Sequence, residues 1–225
     1  MICWTWKRAC QAQSLSDVFV AAEDEEIVKV VRDYGGKAMR VSGDFRSGSD
    51  RVAAAVRGRE VAAVVNIQAD EPFIEPRIID DALALLEERP DFDVTTAVRV
   101  ISRLEEYIDP HCVKVVLDRN RRCLYFSRAP IPAQKSKTSA AELPAGIPFY
   151  RHIGLYSFRR QALERFSVLP ESALERCEGL EQLRWLEAGA TIGAVETHTA
   201  LPAVDTPEDL LALDNHLTKL GIHYA

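Results

Sequence analysis

The sequence predicts an α/β domain: a mostly parallel sheet with helices on both faces. Three observations carry this. Short β-branched runs alternate with stretches of helical periodicity, as in strand–helix–strand crossovers. The connections between them are short. With 225 residues, 47% of them hydrophobic, the chain can bury a substantial core as one domain spanning 1–225.

Taken in order, residues 2–13 form an amphipathic helix with Ile2, Trp6, Ala9 and Cys10 on one face. "DVFVAA" (17–22) is a strand. "EDEEIVKVVRDYGG" is a helix with acids in its first turn and Gly35-Gly36 past its end. "KAMRVSG" is a strand, "SDRVAAAVRG" a helix, and "VAAVVNI" a strand that reads as buried. "EPRIIDDALALLEER" is a helix opened by a proline, and "FDVTTAVRVI" a strand. From residue 113 the pattern changes. "VKVVLD" and "RCLYFSR" flank "RNR" as a hairpin, followed by the polar loop "AQKSKTSAAELPAG", the strand "RHIGLYSFRR" and a helix from "RRQALERFSVL". Residues 100–160 are therefore expected as an excursion from the α/β body, to which 161–225 returns.

Composition excludes several functions. The balance of 28 Lys+Arg against 34 Asp+Glu gives a net charge of -6, which disfavours nucleic acid and anionic membranes as partners. Cys3, Cys10, Cys112, Cys123 and Cys177 show no CxxC spacing, so they read as reduced thiols, neither a disulfide framework nor a zinc site. No apolar run approaches the ~18 residues of a membrane span. "MICWTWKRACQAQ" lacks the features of a signal peptide. A cytoplasmic protein with no membrane insertion is expected. No GxGxxG or GxxxxGK[ST] occurs, which disfavours the usual dinucleotide and P-loop readings.

In parallel α/β sheets, ligands gather beyond the carboxyl ends of the strands. "NIQADEP" puts Asp70 at such an end. In "VDTPEDL", Thr206 reads as an N-cap and Pro207 as the first helical residue, which leaves Asp205 just outside the helix. Alone, each aspartate reads as a turn or cap residue. Together, at matching positions, they favour a hard-oxygen Mg²⁺ site completed by waters and substrate phosphates. In "RSGSDR", Ser47, Gly48 and Ser49 precede a helix beside Arg51. Their N–H groups could receive a base or phosphate, and equally Ser49 could simply cap the helix. Arg128 in "YFSRAPIP" could grip a carboxylate bidentately or form a surface ion pair. His152 and Tyr156 share one face of a strand and could both be structural. Glu181 and Gln182, in "GLEQLRWLEAG", read as solvated.

In combination, "FRSGSDR", "VNIQADEPFIEPRII", "HCVKVVLD", "LYFSRAPIP", "FYRHIGLYSFRR", "LERCEGLEQLRWLEAG" and "VDTPEDL" closely resemble the CMP-Kdo synthetases, the 3-deoxy-manno-octulosonate (Kdo) cytidylyltransferases of lipopolysaccharide biosynthesis. The resemblance spans nearly the whole chain. It implies a three-layer, Rossmann-like nucleotidyltransferase fold, CTP and Kdo as substrates, Mg²⁺ as cofactor, and a homodimer with the 100–160 excursion as its contact. It also implies that Asp70 and Asp205 are the catalytic metal ligands. Gln68, Arg128, His152, Tyr156, Glu181 and Gln182 would form the sugar-acid pocket, and Ser47, Gly48, Ser49 and Arg51 the loop near the cytidine. A related acid such as amino-Kdo is an alternative substrate, since one contact can decide hydroxyl against amine.

Two departures stand out. Ala69 occupies a position where the family usually has Gly. The family also begins with a central strand and a loop of the form A-R-x-x-S-x-R-x-P-G-K, which this sequence does not contain. The expectation is therefore an N-terminally incomplete enzyme, with an inactive remnant as the alternative. Its sheet would have an unfilled place between "DVFVAA" and "VAAVVNI", and the 225 residues alone would fold marginally.

Overall fold

The computed structural model describes residues 1–134, 143, 146–198 and 211. Asp205 and the expected Thr206 cap lie outside them. The first helix, α1 (Ile2–Ala9), is followed by β1 (Val20–Ala22) and α2 (Glu25–Asp33). Asp24 caps α2 by accepting the Glu26 N–H at 2.7 Å, and Glu25 and Glu26 sit at the positive end of the helix dipole. β2 (Ala38–Arg40) pairs in parallel with β1. β1 is shorter than its apolar run, and the Val18 carbonyl ahead of it accepts from Trp6 Nε1 at 3.3 Å. α3 (Gly48–Ala55) is capped by Ser47, whose hydroxyl accepts the Asp50 N–H at 3.2 Å. The sequence offers Ser49 for this role, but a tertiary partner takes the Ser49 hydroxyl.

β3 (Ala63–Ile67), α4 (Pro76–Glu88), β4 (Val94–Val100) and α5 (Leu104–Ile108) follow. β5 (Lys114–Leu117) and β6 (Cys123–Ser127) form the expected hairpin. Its turn is closed by Asp118 Oδ1, which accepts the N–H groups of Asn120 and Arg122 at 2.7 and 2.9 Å. The remaining elements are β7 (Tyr150–Arg159), α6 (Arg160–Ser167), α7 (Ala173–Glu178), α8 (Glu181–Glu187) and β8 (Ile192–Thr197). α7 opens with a reciprocal Ser172/Glu175 capping box and ends on left-handed Gly179.

The sheet differs from the expected one in direction. β7 pairs antiparallel with β4 along one edge. Its other edge is shared: Leu155–Arg159 pair with β3, and Tyr150 and Arg151 with β5. Among the described ladders only β1–β2 and β4–β8 are parallel, so the sheet is mixed and not mostly parallel. The alternation of strands and helices does make β3, β4 and β8 run the same way, but β7 is inserted against them. The 100–160 region is corrected accordingly, because β7 belongs to the middle of the sheet and not to an excursion.

Two cores cover the two faces. Val94 and Val98 of β4 enter a cluster with Phe158, Leu163, Phe166 and Trp185, beneath α6 and α8. Ala97, on the opposite face of the same strand, joins Ile78, Ile79 and Ala82 of α4 and Ala9 of α1. These are the three expected layers. β1 and β3 share no ladder. Between them lies a cavity of about 610 Å³, bordered by Val20 and Ala21 on one side and Ala63–Ile67 on the other. Among the described residues, no helix is long and apolar enough to cross a membrane.

Candidate active site

The site forms where β3 and β5 part company along β7. Between their two ladders, Gly154 of β7 is met by the chain leaving β3, while the His152 N–H donates to the Val113 carbonyl ahead of β5 at 2.8 Å. The Gln68 N–H donates to the Gly154 carbonyl at 2.9 Å, and the Gly154 N–H donates to Glu71 Oε1 at 2.8 Å. A Cβ at residue 154 would lie 2.7 Å from Gln68 Cγ, so any larger residue would push the Gln68 side chain out of place. Here β7 also bulges. Thr96 is opposite Tyr156 and Ala97 opposite Ile153, which inserts two extra residues into β7. An insertion of two preserves the in–out alternation. His152 and Tyr156 thus stay on one face, with ring centroids 5.3 Å apart.

A cleft of about 640 Å³ opens at this junction. Gln68, Asp70, His152 and Tyr156 line it from β3 and β7; Arg128 lines it from the end of β6. Glu181 and Gln182 enter from the start of α8, and Ser47 and Gly48 from the start of α3. Gly48 and Gln68 also border the β1–β3 cavity, as does Arg51. Arg51 therefore lies on the far side of that wall. It faces Glu23 Oε2 at 3.4 Å, while its buried Nε has no acceptor among the described residues.

Several placements come with defined partners. Arg128 donates from Nε to the Glu178 carbonyl at 2.8 Å and from Nη1 to the Pro110 carbonyl at 3.2 Å, which aims the rest of its guanidinium. Glu178 secures the same corner by accepting from the Ser127 hydroxyl and the Arg128 N–H. Glu181 accepts from the Ser49 N–H at 3.3 Å, the Ser49 hydroxyl at 3.1 Å and Gln68 Nε2 at 3.4 Å. Asn66 Nδ2 donates to the Ser49 hydroxyl at 3.0 Å. Glu181, expected as solvated, is thus the tertiary partner of Ser49 and joins the α3 turn to the cleft. Although it keeps some exposure, burial raises its pKa, while bonds from Ser47 and Ser49 oppose that rise. The Tyr156 phenol is held neutral by burial and by the nearby charges of Glu181 and Asp70. Its ring packs edge-on against Trp185, with centroids 4.9 Å apart.

His152 is buried, and burial together with the charge of Arg151 pushes its pKa from 6.5 down to about 3. The unfolded chain therefore takes up this proton near pH 6.5, and the folded chain not until about pH 3. Stability from this source is complete above pH 6.5 and falls through that window by about 1.4 kcal/mol per pH unit. Glu181, shifted upward, works in the opposite sense. Between pH 7 and 5 the protein is expected to lose about 2 kcal/mol that a His152→Asn variant retains. Urea unfolding of both proteins at the two pH values measures this, and equal losses would show that His152 is not buried in its neutral form.

Sequence reasoning missed four supporting residues. Glu71 anchors Gly154, and Thr96 bonds His152. The Lys114 ammonium donates to three main-chain carbonyls beside Arg128. Arg184 lies between Asp50 and Glu175. The available signal was a charge inside an apolar run, in "VKVVLD" and "LRWL".

A mixed sheet covered on both faces, with a cleft of carboxylates and an arginine at the carboxyl end of β3, belongs to a nucleotidyltransferase, as the relatives of this chain show. Residues 1–192 match the cytidylyltransferase family. The chain is 43% identical over 222 residues to the 3-deoxy-manno-octulosonate cytidylyltransferase of Syntrophotalea carbinolica, covering 98% of this chain and 89% of that protein. It is 41% identical to the enzyme of the same name from Leptospira interrogans, covering 93% and 82%. A CMP:2-keto-3-deoxy-manno-octonic acid synthetase solved in complex with CTP superposes with a TM-score of 0.87 at 34% identity, covering 97% of this chain and 88% of that one. The chain belongs to the CMP-Kdo synthetase family of cytidylyltransferases.

Proposed function

We propose that the protein transfers CMP from CTP to the 2-hydroxyl of Kdo, releasing pyrophosphate and supplying CMP-Kdo for lipopolysaccharide synthesis. The observation that carries this reading is one cleft holding a sugar-acid set (Arg128, His152, Tyr156, Glu181 and Gln182) together with Asp70 at the end of β3. The remaining guanidinium N–H groups of Arg128 suit a carboxylate. Glu181 and Gln182 offer an acceptor and a mixed donor–acceptor to sugar hydroxyls. The backbone at Gly48 and the unmatched Nε of Arg51 suit the nucleotide, since Glu181 engages Ser49.

In this arrangement the Kdo 2-hydroxyl oxygen bonds to the α-phosphorus as the bond to the leaving pyrophosphate breaks and the hydroxyl proton departs. Positioning and charge neutralisation do most of the work in such a displacement. Asp70 is a hard-oxygen donor suited to Mg²⁺, and Asp205 would be its partner. Among the described residues no group of three or more ligating side chains is present, but Mg²⁺ bound with a triphosphate needs only one or two carboxylates. When bound, the ion would offset phosphate charge.

The test is pyrophosphate release by the protein from CTP and Kdo with Mg²⁺, before and after Gln182→Ala. The variant is expected to raise KM for Kdo about tenfold and leave KM for CTP nearly unchanged, because the lost hydrogen bonds concern the sugar alone. No turnover by the unmodified protein would overturn the reading, and equal losses toward both substrates would overturn this division of the cleft.

A further inference from the structure

The bulge in β7 creates an arrangement that the reaction scheme leaves unused. Thr96, fully buried in β4, places its Oγ1 2.6 Å from the Leu155 carbonyl, 3.5 Å from the Ile153 carbonyl and 2.8 Å from His152 Nε2. A threonine hydroxyl has one proton and two lone pairs. The carbonyls can only accept, and the Leu155 oxygen is the nearer, so the proton points to Leu155. The face turned to His152 is then a lone pair, and Nε2 must carry a hydrogen to meet it. The reverse arrangement would leave the Leu155 oxygen without this donor in a buried site, which is costly.

We propose that Thr96 is a positioning residue that locks His152 in its neutral Nε2–H form and so presents the other ring nitrogen, Nδ1, to the cleft as a bare acceptor. Burial, which keeps the ring neutral across the working pH range, supports the same state. The consequence is a division of labour within the sugar-acid site, and it rests on the function proposed above. A bare imidazole nitrogen repels a carboxylate oxygen and accepts from a hydroxyl or an amine. His152 therefore meets a hydroxyl of the sugar, and the carboxylate is left to Arg128. Replacing that hydroxyl by an amino group would be tolerated, whereas removing or methylating it would not.

The test has a ligand-free arm and a kinetic arm, both on the protein as it stands. Imidazole ¹⁵N–¹H correlation spectra are expected to show His152 as the Nε2–H tautomer, unchanged between about pH 5 and 8. In Thr96→Val the tautomer should become mixed or inverted, with KM for Kdo up about tenfold and KM for CTP unmoved; Thr96→Ser should restore the wild-type spectrum and KM. An Nδ1–H tautomer in the unmodified protein overturns the proposal outright, and that measurement needs neither a folded variant nor a substrate. It is also overturned if Thr96→Val leaves both tautomer and KM as they were, or raises both KM values equally. An Nε2–H tautomer in a protein that does not turn over Kdo would sink the function and leave the Thr96–His152 lock standing.

Discussion

Replacing Arg184 by methionine is expected to cost about 3–5 kcal/mol of stability, the range for removing one partner of a buried ion network. Arg184 is only 1% exposed. Its Nη2 donates to Asp50 Oδ2 at 3.2 Å and to the Ser47 hydroxyl at 3.3 Å. Its Nε sits 3.3 Å from Glu175 Oε2, off the line of a hydrogen bond. Three elements meet on this guanidinium: α8 carries it, α3 supplies Asp50 and α7 supplies Glu175. Methionine fills much of the volume but leaves two carboxylates buried without their cation. Adding Asp50→Asn and Glu175→Gln to Arg184→Met should recover part of the loss, since the penalty lies in the uncompensated charges. Urea unfolding decides the matter, and a deficit below about 1 kcal/mol for the single variant would mean that the network is solvated in practice. The same change should loosen the Ser47–Ser49 turn, which rests on Arg184 at one end and Glu181 at the other.

Lys114→Met should lower stability by about 3 kcal/mol or more, counting about 1 kcal/mol or more for each carbonyl left without a donor. Lys114 is fully buried, and among the described residues no carboxylate hydrogen-bonds its ammonium. Instead its ammonium donates to the carbonyls of Asp109 at 2.6 Å, Cys112 at 2.5 Å and Arg128 at 2.6 Å. Burial draws its pKa down, yet three dipoles converge on it. The first two carbonyls belong to the turn that enters β5, and the third to the turn that leaves β6. The ammonium is therefore a clasp holding the Arg128 corner closed. Methionine opens that clasp, and in the folded fraction KM for Kdo should rise while KM for CTP stays put. An unchanged KM for Kdo in a destabilised variant would show that Arg128 is positioned without it, by Glu178 and Pro110 alone.

What the sequence reveals and what it hides follow from the range of the forces involved. The β3 and β4 runs, the α2 helix and the β5–β6 hairpin are decided within a few residues, and they form where the sequence places them. The place of β7 is a property of the whole sheet. "RHIGLYSFRR" has the same pattern whether it closes an excursion or fills the gap between β3 and β4, so only tertiary structure separates the two. Ser47 and Ser49 are equally good caps on propensity, and Glu181, more than 130 residues away, decides between them. Gln68, Asp70, Arg128, His152 and Gln182 stand in strings that resemble one family, and the fold brings them to one cleft. Thr96, Lys114 and Arg184 were not. Their partners are main-chain carbonyls or residues of distant helices, and a polar side chain turned inward looks, in one dimension, like one turned outward.

The position of β7 also sets the order in which the molecule can be made. Val64 of β3 and Phe158 of β7 are ladder partners roughly ninety residues apart in the chain, and pairing across such distances is slow to form. β3 and β4 are synthesised well before the strand that joins them. Until then each presents a bare edge, and the carbonyl that will anchor Gln68 has not been translated. A nascent chain therefore cannot join β3 to β4 through β7 until Arg159 has emerged, and the cleft waits longer still, for Glu181 and Gln182 of α8.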